Sequence, residues 1–171
     1  RQFLEQQAWP HDQIRLVLMD TSQDARFGRR VRLWIAECDY RDVRYFTESV
    51  AEPGLADQDR RAEGVGDKVR LAAARIYNRL AREATGEFVW VIEDDVIPPN
   101  NAAELLLRGF DEHTATVAGP YRSRFHDGYV AWRSGRDIIR ERGEGVESIE
   151  GNGFGCTLFR TDVLRQALFT C

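Results

Sequence analysis

The run FVWVIEDDVIPPN at positions 88 to 100 constrains this chain more than any other segment. Phe88 to Ile92 is apolar at every residue, the pattern of a strand covered on both faces. Three acids follow without a break, Glu93, Asp94 and Asp95. Adjacent carboxylates repel, so the arrangement needs water, a cation or hydrogen-bond donors around it. Pro98 and Pro99 then stop the strand, and Asn100 or Asn101 is placed to cap a helix running to about His113.

Elements of both kinds alternate on either side. Arg1 to Gln7 reads as the end of a helix, Ile14 to Met19 as a short apolar strand, Phe27 to Cys38 as a helix and Val43 to Thr47 as a second strand. Glu52 to Gly66 is polar and holds Pro53, Gly54 and Gly64, so it reads as a loop. From Lys68 onward Val69, Ala73, Ile76, Leu80 and Ala84 recur at spacings of three and four, the stripe of an amphipathic helix, with Gly86 as its stop. Thr116 to Gly119 and Tyr129 to Arg133 read as strands, and Thr161 to Leu168 as a last helix capped by Thr161. Strands alternating with helices predict an α/β sheet with crossovers, and 171 residues with 43% hydrophobic content predict one domain.

Several function classes lose support. No apolar stretch approaches the length of a membrane span, and the opening RQFLEQQAWP has no signal-peptide core, so a soluble cytoplasmic chain without a transmembrane segment is expected. Cys38, Cys156 and Cys171 have neither disulfide-framework nor zinc-knuckle spacing. A net charge of -4 argues against nonspecific nucleic-acid binding. His11, His113 and His126 have no ligand spacing, and no nucleophile elbow is present.

The acids themselves stand where ligands gather in open α/β sheets, at the carboxyl end of a strand. Hard cations such as Mg²⁺ or Mn²⁺ take carboxylate oxygens, and Mg²⁺ takes only one or two from the protein and the rest from phosphates and water. The three acids could therefore hold a metal and a diphosphate, or cap the following helix and face solvent.

The wider context resembles a known family. Asn78 on a helix, Gly86-Glu87-Phe88 eight residues on, the apolar strand, the acidic triplet and the prolines are similar to the central signature of the family 2 glycosyltransferases with the GT-A fold. Ile14 to Asp24 (IRLVLMDTSQD) resembles the family's second strand and its D-x-S turn, and Gly151 to Arg160 (GNGFGCTLFR) its glycine-rich segment. The resemblance implies a GT-A, Rossmann-like, mixed and mainly parallel sheet flanked by helices. It also implies a single domain over 1–171 that lacks the family's first strand and its C-terminal part, which holds the usual catalytic base. The pattern differs at Glu93, where aspartate is usual, and at Tyr77, where arginine is common.

By the same resemblance, the activity is transfer of a sugar from a nucleotide-diphosphate sugar to the hydroxyl of a sugar, lipid-linked or protein acceptor, with inversion and with Mn²⁺ or Mg²⁺. Asp20, Asn78, Glu93 and Asp94 would contact the nucleotide sugar, and Asp95 with Asp94 the metal. No catalytic residue is identified; Glu150 and Asp127 are stand-ins for the base. Lys68, Arg70, Arg122 and Arg124 are candidates for phosphate, Gly151, Gly153 and Gly155 for a tight loop where donor and acceptor meet, and Trp132 and Phe154 for stacking on a sugar. Each has an ordinary counterpart: a turn for Asp20, a backbone-satisfied amide for Asn78, solvent for the basic residues, core for the aromatics. A nucleotidyltransferase and a noncatalytic sugar- or protein-binding domain are the alternatives.

Overall fold

The computed structural model describes residues 2–22, 24–48, 65–124, 126–135, 137–141 and 143–170. Residues 52–64 of the expected polar loop, and Cys171, lie outside the described residues. The chain divides into two compact units, one of Pro10–Thr85 with Leu164–Cys171, the other of Arg1–Trp9 with Gly86–Val163.

The first unit is built on a parallel pair. β1 (Arg15–Asp20) and β2 (Asp42–Thr47) run in register from Arg15 opposite Asp42 to Asp20 opposite Thr47. Parallel neighbours need a crossover, and α2 (Ala25–Glu37) supplies it. Asp24 caps α2 by accepting the Arg26 N–H at 2.8 Å, and Trp34 buries the helix's inner side. α3 (Val65–Glu83) lies against β1. Its most buried positions are the small ones, Ala72, Ala74 and Ala81, while Val69, Ala73, Ile76 and Leu80 of the expected stripe are half-buried. Arg79 lies 4.3 Å over the Phe46 ring, and Arg44 reaches Glu83 at 3.2 Å, so cations finish the β2 side of the helix.

The second unit holds the central apolar strand. β3 (Phe88–Ile92) follows Gly86, whose φ of +85° turns the chain out of α3. α1 (Gln2–Glu5) brings Phe3 edge-on to Trp90. After α4 (Ala102–Leu107) come β4 (Thr116–Ala118), β5 (Ala131–Trp132), β6 (Gly151–Asn152) and β7 (Cys156–Arg160), which leads into α5 (Thr161–Gln166). β7 runs antiparallel between β3 and β4, and β5 pairs antiparallel with β6. Leu106, Cys156 and Leu158 form the core, with Phe88, Trp90, Val96, Phe110 and Val117 packed on it.

The fold is the mixed α/β arrangement the sequence predicts, but the expected mainly parallel pairing is not seen: among the described strands only β1 and β2 pair parallel, and β3 with β7, β4 with β7 and β5 with β6 are antiparallel. Four details differ. The strand covered throughout is β7, buried from Cys156 to Phe159, whereas β3 buries only Val91 fully. α4 ends at Leu107 instead of near His113, because the Asp111 carboxylate takes the His113 N–H at 2.9 Å and the Thr114 hydroxyl at 2.6 Å and so forms a competing turn. Thr161 opens α5, but its buried hydroxyl oxygen caps nothing among the described residues. Tyr129 to Arg133 is strand only at Ala131–Trp132, with Tyr129 bridged to Arg122.

Candidate functional site

The acidic triplet forms a turn. As β3 ends, the Glu93 N–H donates to the Gly155 carbonyl at 3.1 Å, and the Val96 N–H donates back to the Glu93 carbonyl at 3.1 Å. That second bond closes four residues and leaves Asp94 and Asp95 exposed at the tip, while Val96 returns to the core. Water and a cation thus offset the repulsion of the carboxylates: Asp95 is ion-paired with the Arg124 guanidinium. Among the described residues no group of three or more metal-ligating side chains is assembled. Two exposed carboxylates on a rigidly hydrogen-bonded turn, one already holding a cation, suit an open Mg²⁺- or Mn²⁺-type site and not a closed cage.

The glycine-rich segment backs this turn for a steric reason. A Cβ on Gly153 would lie 2.2 Å from the Tyr121 hydroxyl and 2.6 Å from a Val130 methyl; on Gly155 it would lie 2.6 Å from the Tyr121 ring, and on Gly151 2.5 Å from the Trp132 indole. Tyr121 accepts the Gly155 N–H at 3.1 Å, and burial, with the nearby charge of Glu93, raises its phenol above the ordinary value. The glycines therefore admit two aromatic rings against the backbone that holds Glu93. Gly153→Ala is expected to cost about 1–3 kcal/mol through overpacking, read as a lower denaturation midpoint; an unchanged midpoint would show that Tyr121 moves aside freely.

Other candidates in this unit have structural roles. Phe154 meets Phe159 edge-on at 5.3 Å, inside the unit's packing. The Glu150 carboxylate accepts the Gly135 N–H, and the exposed Asp127 pairs with Arg122 at 3.3 Å. Arg122 also lies 4.8 Å over the Tyr129 ring.

In the first unit Asp20 is buried, 7% exposed, at the carboxyl end of β1. Its Oδ1 accepts the Ser22 N–H at 2.8 Å and its Oδ2 accepts the Tyr45 hydroxyl. Burial pushes the carboxyl up, but the Ser22 and Tyr45 hydrogen bonds and the Arg32 charge together outweigh it and hold Asp20 below the ordinary range. The residue lines a cavity of about 260 Å³ with Ser22, Gly28, Arg32, Tyr45 and Thr47. A carbon added to Gly28 would sit 3.0 Å from the Tyr45 hydroxyl, 3.5 Å from an Arg32 nitrogen and 3.8 Å from Asp20 Oδ2. An acceptor, a donor and a phenol thus converge over one bare glycine.

Arg32, Tyr45 and Gly28 were not singled out from the sequence. The signal available was Gly28 and Arg32 at helical spacing on α2, one turn apart behind a strand ending in aspartate. Asn78 lies in the same unit as Asp20, but its amide donates to the Phe169 carbonyl at 2.9 Å and accepts the Phe169 N–H at 3.1 Å. Both ends of that side chain thus hold one backbone residue. Arg70 pairs with Asp67 in the first turn of α3, and Lys68 is exposed there.

The family model described as glycosyl transferase family 2 matches residues 44–168, most of the chain, including β3, the acidic turn and the glycine-rich segment. It leaves Asp20 outside its span. No curated protein matches. Among solved structures, a crystal structure of A197 from STIV is similar at a TM-score of 0.53 with 15% identity, over 90% of this chain and 68% of that one, a likeness of fold. No described helix is long and apolar enough to cross a membrane. With the acidic turn and its flanking strand inside the matched residues, the chain belongs to glycosyl transferase family 2.

Proposed function

We propose that the chain transfers a sugar from a nucleotide-diphosphate sugar to an acceptor hydroxyl, with inversion, and that Asp95 with Asp94 holds the Mn²⁺ or Mg²⁺ this requires. Family membership makes glycosyl transfer the general chemistry. The observation that carries the finer reading is the Glu93–Val96 turn, which presents two carboxylates to solvent at the end of β3 while its backbone is fixed by Gly155. A cation bound there would neutralise charge developing on the leaving diphosphate. Glu93, half-buried behind the tip, is assigned to the donor side. Asp20, with Arg32 and Tyr45, is assigned to the nucleotide base, since a fixed carboxylate and a guanidinium suit the adjacent donor and acceptor groups of a base edge. Asn78 is assigned to holding the Phe169 backbone, which its amide bonds through both N–H and oxygen.

Melting measured with UDP, GDP, their sugars, UTP and GTP, with and without Mn²⁺, tests the reading. A ligand at a hundred times its Kd stabilises the native state by about 2.7 kcal/mol, a rise on the order of 5–10 °C for a chain of this size. The expected result is a rise with one nucleotide series that requires Mn²⁺. A triphosphate favoured over every diphosphate would point to a nucleotidyltransferase, and no metal-dependent rise with any nucleotide to a noncatalytic domain.

A further inference from the structure

We infer that Arg124 is an exchangeable counter-ion of the acidic turn: it occupies Asp95 when no metal is bound, and moves to the diphosphate of the donor when a divalent cation takes its place. This rests on the reading of Asp95 as a metal ligand.

The geometry begins with the segment that carries Arg124. Tyr121 is fixed by its hydroxyl to Gly155 and by its carbonyl, which accepts the Val130 N–H at 3.0 Å. The Ser123 N–H donates to the Gly128 carbonyl at 2.9 Å, and Arg122 and Tyr129 form a bridge. Arg140 donates to the Asp127 carbonyl at 2.9 Å and holds the far side. The backbone that launches Arg124 is thus anchored on both flanks, and its guanidinium ends on Asp95.

The charges then decide what the pair is for. Both side chains are about half exposed, 50% for Arg124 and 42% for Asp95. An ion pair so open to water contributes little to stability and is readily exchanged. It nonetheless does something specific, since it places a positive charge on the carboxylate assigned to the metal. A divalent ion and a guanidinium on the same carboxylate repel each other, so binding of one displaces the other. A displaced Arg124 still starts from an anchored backbone next to the turn. Its planar fork is suited to phosphate oxygens, which the diphosphate would bring to the same place. Arg124 therefore opposes metal binding alone and favours metal binding with nucleotide, which couples the two ligands through one side chain.

The test separates the two halves. Mn²⁺ alone is titrated into wild type, Arg124→Gln, Arg124→Lys and Asp95→Asn, following the free-ion EPR signal; UDP and GDP binding is then measured calorimetrically at saturating Mn²⁺. Arg124→Gln is expected to bind Mn²⁺ about 2–5-fold more tightly and the nucleoside diphosphate about 10-fold more weakly. Arg124→Lys keeps the charge and loses the fork, so its Mn²⁺ affinity stays at the wild-type level while nucleotide affinity falls part of the way. Unchanged or weaker Mn²⁺ binding by Arg124→Gln, with binding abolished in Asp95→Asn, overturns the inference and leaves the metal site standing. No Mn²⁺ binding to wild type or to Arg124→Gln overturns the metal site itself, and the inference with it.

Discussion

Asp95→Asn is expected to lower release of nucleoside diphosphate from the donor sugar by on the order of 10²- to 10³-fold in kcat/KM, with its melting point within a degree or two of wild type. The two halves of that statement have separate causes. Asn keeps the size of the side chain but removes the charge a hard cation needs, and the cation is the proposed source of charge neutralisation at the leaving diphosphate. Stability barely responds because Asp95 sits at an exposed turn tip whose fold is carried by the Glu93 and Val96 backbone bonds. Its ion pair with Arg124 is exposed and worth about 0–1 kcal/mol. Asp94→Asn should fall in the same direction by less, since Asp95 is the assigned ligand and Asp94 its helper. Full activity in Asp95→Asn, with the fold intact, would move the metal off this turn.

What was legible in the sequence was local, and what was missed depends on contacts between distant segments. Phe88 to Ile92 and the acids announce a strand and its end because the change from apolar to charged is written in consecutive residues. β7 is more deeply buried, yet its CTLFR run carries Thr157 and Arg160 and stands behind three glycines that read as loop. Those glycines are fixed by Tyr121 and Trp132 arriving from elsewhere, which no local pattern encodes. The end of α4 shows the limit of periodicity: apolar spacing continues past Leu107, but the Asp111 side chain offers the backbone a competing turn. Site residues divide in the same way. Asp20 was visible as an acid at a strand end, whereas Arg32 and Tyr45 reach it only through the parallel register of β1 with β2 and the crossover of α2. Asn78 on a helix facing the sheet looks alike whether it serves a ligand or a backbone, and here Phe169 takes both ends of it.

Asp20→Ala is expected to be the most destabilising of the site substitutions, by about 2–4 kcal/mol, because it removes the buried carboxylate that accepts two charge-assisted hydrogen bonds, from the Ser22 N–H and the Tyr45 hydroxyl. The sign of its pH dependence follows from the lowered carboxyl. A depressed folded-state value means the stabilisation is fully present above the ordinary carboxyl value of 3.8 and is lost as pH falls through the lower, folded one. The wild-type advantage over Asp20→Asn should therefore be flat from neutral pH to about pH 4 and shrink below it. Tyr45 gives the opposite limb: its phenol is raised above 10.0, chiefly by the bond to Asp20, so its contribution holds below that value and is lost as pH rises through the folded one. Loss of nucleotide binding in Asp20→Ala would not by itself place the base, since a destabilised pocket also binds poorly. Gly28→Ala separates the two. Its methyl would stand within 3.0–3.8 Å of Tyr45, Arg32 and Asp20, filling the polar cradle, while alanine in a helix is favoured over glycine by about 1 kcal/mol. Melting should then hold or rise as nucleotide affinity falls. Wild-type nucleotide affinity in Gly28→Ala would mean that the base binds elsewhere and that Asp20 serves the fold alone.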